Sequence, residues 1–383
     1  MDIVALLQLA KTKGASDLHI VVSRPPLLRI DGRIFPVDDL PSLTSEDIEQ
    51  AFRQVTSEQE RAEFDSQLEL DFGRTIPDVG RLRFNAARQR GTISLVIRLL
   101  PSEIPNVSKL GLPDICKELI VRPRGLVVVS GPTGSGKSTT LAAMIEHLNQ
   151  TEHRRVVTIE DPVEYTYNNF NCTITQREIG SDTLSFAEAL RHVLRQDPDV
   201  ILVGEMRDLE TASTALTVAE TGHLVLTTGH APSASQAVER IINMFPPHER
   251  YLAQARLASL LIGVLCQALI PKVEGAGRAA AIEVMLANPA VRNLIREGKT
   301  YQLPNTIRMN SQTGMELFDQ ALIRLYKEGA ISRESVFDFC NDREEVEKLT
   351  GERGDWRRNE AEPVSTAQLD YDNLDNYDVS VSQ

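Results

Sequence analysis

Alternation between apolar and polar positions predicts two paired strands near residue 90. Over residues 81–88 and 92–99, apolar residues recur at every second position. Because successive side chains of a strand point to opposite faces, one face of this pair is predicted to be core. The other face is predicted to present Arg81, Arg83 and Arg98 together.

Turn-forming residues indicate a second hairpin and a connection between two regions. Residues 27–34 contain Asp31-Gly32, a pair that suits a tight turn with positive φ. Residues 101–113 contain three prolines and two serines, which is typical of a linker between domains.

Apolar runs alternate with helical patterns between residues 114 and 285, which favours a mostly parallel sheet covered on both faces. The predicted strands of this sheet are 125–130, 155–159, 200–203 and 224–228. A helix predicted over 184–196 would place Phe186, Leu190, Val193 and Leu194 on one face. From residue 288 onward the pattern is helical.

Length and composition describe a globular protein of more than one domain. The chain has 383 residues and a mass of 42.5 kDa, which at about 150 residues per domain indicates two or three domains. Hydrophobic residues make up 42% and charged residues 25%, as in ordinary folded proteins. A net charge of -13 disfavours nucleic acid as a partner.

Membrane insertion and secretion are not expected. The longest apolar run, Leu257 to Pro271, is shorter than the ~20 residues that span a bilayer. Asp2 lies where a signal peptide carries positive charge, so a cytoplasmic location is predicted. The cysteines form no CxxC pair and are predicted to be free thiols.

The end of the chain differs in composition from the rest. Residues 351–383 contain eight acids and three bases without periodicity. This composition is typical of a disordered acidic tail.

The strongest chemical signal is the segment 131–138, GPTGSGKS, which fits the phosphate-loop pattern GxxxxGK[ST]. It lies between an apolar run and a helix predicted over 139–149. Such a loop directs backbone amides at phosphates, while Lys137 reaches the terminal phosphates and Ser138 binds magnesium. The residues predicted to bind nucleotide are Gly131, Pro132, Thr133, Gly134, Ser135, Gly136, Lys137, Ser138 and Thr139.

Polar residues follow three other predicted strands at the ends that should face this loop. Glu160, Asp161 and Glu164 follow the second run, Glu205 follows the third, and His230 follows the fourth. Carboxyl ends of parallel strands meet at one edge of the sheet, so these groups are predicted to form a site for magnesium nucleotide and an attacking water.

Within that site Glu205 is the candidate to position or activate the water. Gly204 stands where an aspartate is common, so magnesium needs another acid, and Glu160 and Glu164 are the candidates besides Ser138. By residue type alone, His230 and His223 could serve the γ-phosphate or be structural.

The three arginines leave two readings open. Arg81, Arg83 and Arg98 could neutralise transition-state charge as arginine fingers do. Their spacing alone favours the other reading, a solvated strand face.

The chain resembles the PilT family of type IV pilus retraction ATPases, within the secretion-traffic ATPases, from about residue 1 to 350. The motifs that carry the resemblance occur in order: ASDLHI, PPLLRIDG, GRLRFN, VIRLLP, GPTGSGKST, TIEDPVEY, DPDVILVGEMRD and AETGHLVLTTGH. A further segment, AVRNLIRE at 290–297, is similar to an element of retraction motors. The tetracysteine motif of extension motors is absent from the sequence.

The resemblance implies an α/β architecture with a PAS-like α+β N-terminal domain over 1–100, a linker over 101–113, and a RecA-like ATPase domain with C-terminal helices over 114–350. It implies a homohexamer that binds ATP and Mg²⁺ and acts on an inner-membrane platform protein at the inner face of the cytoplasmic membrane. It also implies that Glu205 is catalytic, that the acidic box is formed by Glu160, Asp161 and Glu164, and that His223 and His230 form a histidine box. Arg83 and Arg98, and more weakly Arg81, match arginines that approach phosphate.

The sequence leaves three candidate functions to be distinguished. The first is a hexameric ATPase motor that powers pilus retraction and twitching motility. The second is an accessory PilU-like subunit that assembles with a paralogous retraction ATPase, favoured by the tail and by Gly229 and Ala231-Pro232, which depart from the family pattern. The third, a RecA-like motor on nucleic acid, is disfavoured by charge and by the 5% aromatic content.

Overall fold

The computed structural model describes residues 2–351 except positions 31, 38, 39, 102 and 276. Two sheets with covering helices account for most of it. The predicted turn residue Asp31 and the predicted tail beyond Gly351 lie outside the described residues.

The first sheet is antiparallel throughout and has six strands in the order β3-β2-β1-β6-β5-β4. Both predicted strand pairs are present, since 27–30 pairs with 33–36 and 80–89 pairs with 92–99. The strands are β1 (Asp17–Ile20), β2 (Leu27–Ile30), β3 (Arg33–Pro36), β4 (Glu69–Ile76), β5 (Gly80–Gln89) and β6 (Thr92–Leu99).

Three helices cover one face of this sheet: α1 (Ile3–Thr12), α2 (Ser45–Val55) and α3 (Glu58–Gln67). Helices α2 and α3 each begin with a capping box, in which Thr44 and Ser57 satisfy backbone N–H groups of the first turn. Their apolar side chains pack on Leu82 and Phe84 of β5, which are fully buried as the alternation predicts.

The opposite face of the first sheet carries a cross-strand row of charged residues. The strand register places Arg83 beside Arg98, and Arg98 beside Asp17. Asp17 also lies beside Arg29, and Gly73 lies beside Arg83 at the other end of the row. The predicted arginine face therefore exists.

The second sheet has seven strands in the order β13-β12-β7-β11-β10-β8-β9, and every neighbouring pair is parallel except β12 with β13. All four predicted strands are present. The strands are β7 (Gly125–Ser130), β8 (Arg155–Glu160), β9 (Thr173–Glu178), β10 (Val200–Val203), β11 (Leu224–Thr228), β12 (Leu261–Pro271) and β13 (Arg278–Leu286).

Helices cover both faces of the second sheet. Leu126 and Val128 of β7 face one core and Val127 and Val129 face the other, as expected for a buried parallel strand. The helices in this region are α4 (Ile115–Ile120), α5 (Lys137–Thr151), α6 (Phe186–Val193), α7 (Leu209–Glu220), α8 (Ala234–Asn243) and α9 (Arg250–Leu260).

Helix α6 is shorter than the predicted 184–196, and one of its predicted core residues is misplaced. Leu190 and Val193 are buried, but Leu194 lies after the last helical residue and is 38% exposed. The helical spacing cannot bury Leu194 because the chain leaves the helix before it.

The hairpin β12–β13 was not predicted from the sequence. The apolar run Leu257 to Pro271 forms the end of α9 and all of β12, which adds to β7 inside the sheet. In the described parts of the chain, no helix has both the length and the apolar character needed to cross a bilayer.

The C-terminal region is helical, as predicted: α10 (Pro289–Arg296), α11 (Leu303–Met309), α12 (Phe318–Lys327), α13 (Arg333–Phe339) and α14 (Arg343–Thr350). One basic residue of α10 is held by the preceding helix. Arg292 is half-buried and donates to the carbonyl oxygens of Ala258, Ser259 and Ala287. The carbonyls of Ala258 and Ser259 are in the last turn of α9 and have no partner within the helix, so Arg292 caps that helix end.

The four cysteines are free thiols, as predicted. Three of them are buried, and burial raises the pKa of Cys116 to about 12.

Candidate nucleotide-binding site

The predicted phosphate loop connects β7 to α5. Gly131 has φ +144° and Gly136 has φ +86°, and both angles disfavour residues with a Cβ atom. A Cβ atom on Gly131 would lie 2.3 Å from the carbonyl oxygen of Gln267. Helix α5 begins at Lys137, so its free N–H groups face the loop.

Lys137 lies on the inner side of the loop. Its Nζ donates to the carbonyl oxygens of Gly131 at 2.9 Å and Pro132 at 3.0 Å. Burial lowers the pKa of Lys137, while the negative charges of Glu205 and Glu164 act in the opposite direction. The ammonium group is thus partly buried and lies in the electrostatic field of two carboxylates.

A cleft of about 590 Å³ opens beside the loop. Its walls come from both sheets, because Arg83 of β5 lines it together with residues that follow β8, β10 and β11. The predicted site residues that line it are Arg83, Thr133, Gly134, Gly136, Lys137, Ser138, Thr139, Glu160, Asp161, Glu164, Glu205 and His230.

The acidic segment occupies one wall of the cleft. Glu160 accepts from the Thr158 hydroxyl at 2.6 Å and from the Gln176 amide at 3.2 Å. Burial raises the pKa of Glu160, although these two hydrogen bonds favour its carboxylate. Asp161 and Glu164 line the same wall without such burial.

Glu205 is held between two cationic or potentially cationic groups. Its Oε2 lies 3.2 Å from Nε2 of His230, and its Oε1 contacts Nε of Arg207 in an ion pair. Its side chain is only 12% exposed. The contact with Glu205 raises the pKa of Arg207. The carboxylate is therefore fixed at the mouth of the loop.

Close packing of strand ends brings Glu205 and His230 together. The Thr228 hydroxyl donates to the carbonyl oxygen of Gly204, which joins the ends of β11 and β10. A Cβ atom on Gly204 would lie 3.2 Å from the carbonyl oxygen of Ile159, tighter than ordinary contact. Gly204 stands at a position where an aspartate is common, and its lack of a side chain lets the end of β10 lie against the end of β8.

Only one of the three predicted arginines lines the cleft. Arg83 does so, whereas Arg81 binds Glu178 at 2.6 Å and Arg98 binds Asp17 at 2.9 Å. The face they share exists, but local carboxylates hold Arg81 and Arg98 away from the phosphate loop in this structure.

His223 does not reach the cleft of its own chain. It precedes β11, at the end of the strand opposite to His230. Its Nδ1 contacts the Thr221 hydroxyl at 3.0 Å and the Val218 carbonyl at 3.1 Å. The two histidines are seven positions apart, so at a rise of about 3.3 Å per strand residue they are separated by roughly 20 Å along the strand direction.

The side chains of the cleft would bind Mg²⁺ only together with phosphate oxygens. Within residues 2–351 as described, no three His, Cys, Asp or Glu side chains converge tightly enough to hold a metal. Mg²⁺ is usually bound by one or two carboxylates plus phosphates and water. Ser138, Glu160 and Glu164 in one cleft beside the loop agree with that pattern.

Several residues that line the cleft were not predicted as site residues, among them Arg207, Leu269 and Arg278. Arg207 follows the same strand end as Glu205, so the rule for carboxyl ends of strands could have found it. Leu269 and Arg278 enter the cleft from the hairpin β12–β13, and no local pattern places that hairpin beside the loop.

Comparison with known proteins gives concordant results. A family model described as Type II/IV secretion system protein matches residues 2–357. The chain is 44% identical over 336 residues to the type IV pilus retraction ATPase PilT of Pseudomonas aeruginosa, covering 88% of this chain and 97% of that protein. It is 41% identical over 355 residues to the type IV pilus ATPase PilU of the same organism, covering 92% and 93%.

Solved structures agree with these relatives. A structure of the pilus retraction motor PilT with bound ADP matches with a TM-score of 0.86 and 44% identity, covering 91% of this chain and 99% of that one. The ATPase DotB of Legionella pneumophila matches with a TM-score of 0.76 and 28% identity, covering 88% and 94%.

The fold and the cleft define a phosphate-loop nucleotide-binding protein of the α/β class. Because the family model spans most of the chain, the protein belongs to the type II/IV secretion system protein family. The predicted fold class and the predicted resemblance to the PilT family are both confirmed. Both Pseudomonas relatives are named as ATPases, in agreement with the predicted enzyme class.

Proposed function

We propose that this protein is an ATP-hydrolysing motor that powers type IV pilus retraction. The observation that carries the proposal is the cleft in which Lys137 of the phosphate loop faces Glu205, a carboxylate held by His230 and Arg207. The chain matches nearly the full length of a relative named as a retraction ATPase, which supports the choice of retraction.

Phosphate binding would fall to the loop and the start of α5. The N–H groups at this helix end and the Lys137 ammonium offer positive potential to a triphosphate. The phosphates would replace the carbonyl oxygens of Gly131 and Pro132 as partners of the Lys137 ammonium.

Glu205 would orient the attacking water and accept its proton. A general base must be held within hydrogen-bond reach of the proton it takes. The contacts from His230 and Arg207 restrict the Glu205 carboxylate to one position beside the loop. Arg83, from the first sheet, would add positive charge at the phosphates.

Mg²⁺ would be held by Ser138 together with Glu160 and Glu164. When bound, this ion neutralises charge on the phosphate oxygens. Glu160 is the more buried of the two acids, so it would serve as a fixed ligand or hold a magnesium-bound water in place.

Assembly and location follow from the family resemblance. We propose a domain over 1–100, a linker over 101–113, an ATPase domain with C-terminal helices over 114–350, and a tail over 351–383. Six copies would form a ring that acts on an inner-membrane platform protein at the cytoplasmic face. Arg83 of the first domain would then serve a phosphate within or between subunits.

A second candidate is an accessory subunit that hydrolyses little ATP. It is motivated by the similarity to a second pilus protein, since the chain is also 41% identical to the type IV pilus ATPase PilU over nearly the whole of both chains. It is also favoured by Gly229 and Ala231-Pro232, which flank His230 and depart from the family pattern.

A count of surface pili tests the proposal. The host strain carries Glu205→Gln in the native gene, and protein level is confirmed by immunoblot. Glu210→Gln, an exposed carboxylate on α7, is the matched control. Excess pili in the Glu205 variant alone supports retraction, and loss of pili indicates extension.

A purified-protein assay separates the two candidates. Magnesium-dependent phosphate release is measured over concentrations at which the ring forms. Turnover by the wild-type protein that falls with Glu205→Gln supports the motor. Negligible wild-type turnover, together with unchanged pili, favours the accessory subunit.

A further inference from the structure

An ion pair joins the first sheet directly to the nucleotide-binding region. Nη2 of Arg81, on β5, lies 2.6 Å from Oε2 of Glu178, the last residue of β9. The two side chains are 19% and 6% exposed, so the pair is largely shielded from water. Shielded pairs are weakened less by salt than surface pairs are.

The same carboxylate oxygen also holds the acidic segment of the cleft. Oε2 of Glu178 accepts from the backbone N–H of Val163 at 2.9 Å. Val163 is buried and lies between Asp161 and Glu164, which line the cleft. One oxygen atom thus contacts both the first sheet and the acidic segment.

Neighbouring contacts hold Glu178 firmly. The parallel register of β8 and β9 places Glu178 beside Glu160. The Glu178 N–H donates to the Asp182 carboxylate at 2.8 Å, which closes the loop that follows β9. These contacts fix the backbone of Glu178, so its carboxylate contacts Arg81 and Val163 from a fixed position in the sheet.

Gly73 makes room for this pair. A Cβ atom at position 73 would lie 2.4 Å from Nη2 of Arg81 and 2.8 Å from Oε1 of Glu178. Gly73 lies on β4, and its position does not call for a positive φ. The absence of a side chain there is explained by the space that the ion pair needs.

We propose that Glu178 is a positioning residue that links the orientation of the first domain to the acidic segment 160–164 through Arg81. The proposal rests on the proposed ATPase function. Arg83 lies two residues from Arg81 on the same strand face and lines the cleft. A rotation of the first domain would therefore move Arg83 and the acidic segment together.

The geometry also gives Arg81 a role different from that of an arginine finger. A finger must be free to reach phosphate, whereas Arg81 is bound to a buried carboxylate. Removing Arg81 would leave the Glu178 carboxylate buried with its charge unpaired, which is costly. The carboxylate would turn toward solvent and release the Val163 N–H.

The test uses the full-length protein with Arg81→Gln, Glu178→Gln and the double variant. Each single change is expected to lower kcat roughly 3- to 30-fold with a smaller change in the KM for ATP, as for residues that couple two sites. The double variant is expected to match the single variants, because both changes break one link. Arg74→Gln is the matched control, since Arg74 pairs with Glu60 inside the first domain.

Amide hydrogen exchange without nucleotide gives a readout independent of turnover. Arg81→Gln is expected to accelerate exchange in the peptide that contains Val163, and Arg74→Gln is not. Gly73→Ala keeps both charges but displaces them, so it is expected to reproduce both effects if it folds.

Three outcomes would overturn the proposal. One is exchange at Val163 that is unchanged in Arg81→Gln. The second is losses of kcat that multiply in the double variant. The third is a Glu178→Gln variant as active as wild type beside an impaired Arg81→Gln, which would make Arg81 a finger. Absence of turnover in the wild-type protein would instead defeat the proposed function, and the exchange experiment would still test the link.

Discussion

The side-chain amide of Gln267 donates to the carbonyl oxygen of Ser135 at 2.6 Å, deep beneath the phosphate loop. The other end of the Gln267 side chain accepts from the Thr140 hydroxyl at 2.9 Å. Strand β12 therefore supports the loop from below through one buried side chain. The shape of the loop depends on a residue more than 125 positions away in the chain.

Substitution of Gln267 is expected to destabilise the protein and weaken nucleotide binding. Gln267→Met has a similar volume but leaves the Ser135 carbonyl and the Thr140 hydroxyl unpaired. Each unpaired buried group lowers the free energy of unfolding by about 1–3 kcal/mol. Urea unfolding and titration with a fluorescent ATP analogue measure the two effects. The control is Gln150→Met, at an exposed glutamine of α5, the helix that carries Thr140. Equal effects of the two changes would contradict the prediction.

Gly131 is expected to tolerate no side chain, although it lies in an irregular loop. Gly131→Ala would place Cβ 2.3 Å from a backbone oxygen and impose φ +144° on alanine. Gly134→Ala, three residues on, has φ +78° but no atom within 4 Å of the added Cβ. Strain of this kind costs about 1–3 kcal/mol, so both variants should lose stability in thermal unfolding, and Gly131→Ala should lose clearly more. A reversed order would show that the loop relaxes around position 131.

Substitutions of Lys137 and Glu205 are expected to affect different steps, nucleotide binding in the first case and turnover in the second. Lys137→Ala removes the ammonium group that contacts the loop, so nucleotide binding should be lost. Glu205→Gln keeps the shape of the side chain but cannot accept a proton, so binding should persist while kcat falls roughly 10²- to 10⁴-fold. Equilibrium binding of the ATP analogue and phosphate release measure the two steps. Normal turnover by the glutamine variant would remove Glu205 from its proposed role.

Glu283 is expected to make stability depend on pH. It is buried on β13 and accepts from the N–H groups of Ala234 and Phe318, at the starts of α8 and α12. Burial raises the pKa of Glu283 above its ordinary value of 4.5, although these hydrogen bonds oppose the shift. The folded state therefore binds the proton more tightly than the unfolded state does.

The sign of the dependence follows from that direction. The contribution of Glu283 to stability is complete below about pH 4.5 and is lost as the pH rises through the raised folded pKa. Glu283→Gln cannot ionise, so its free energy of unfolding should rise relative to wild type as the pH is raised from 4.5. Urea unfolding at several pH values measures this, with the exposed Glu334→Gln for comparison. A relative stability of Glu283→Gln that falls with pH would contradict the prediction.

Local patterns predicted much of the fold. The four apolar runs form β7, β8, β10 and β11. A strand that is buried on both faces has a continuous apolar sequence, so each of these strands could be predicted. The carboxyl-end rule then placed Glu160, Glu205 and His230 in one cleft. These are properties that a short segment carries by itself.

The remainder depends on contacts between distant segments. Arg98 shares its face with Arg83, as the alternation predicts, but Asp17 on β1 holds its guanidinium. His223 resembles His230 in the sequence, yet it lies at the opposite end of β11. The hairpin β12–β13 has no signal in its own sequence that distinguishes its apolar run from a buried helix.

The hairpin β12–β13 has one more consequence for the molecule. Its register pairs Gln267 with Ile282 and Cys266 with Glu283, so the residue beneath the phosphate loop and the residue that holds two helix starts lie on adjacent rungs. Their side chains point to opposite faces of the sheet, since one contacts α5 and the other contacts α8. A continuous series of contacts therefore runs from the phosphate loop across the thickness of one sheet to the starts of α8 and α12.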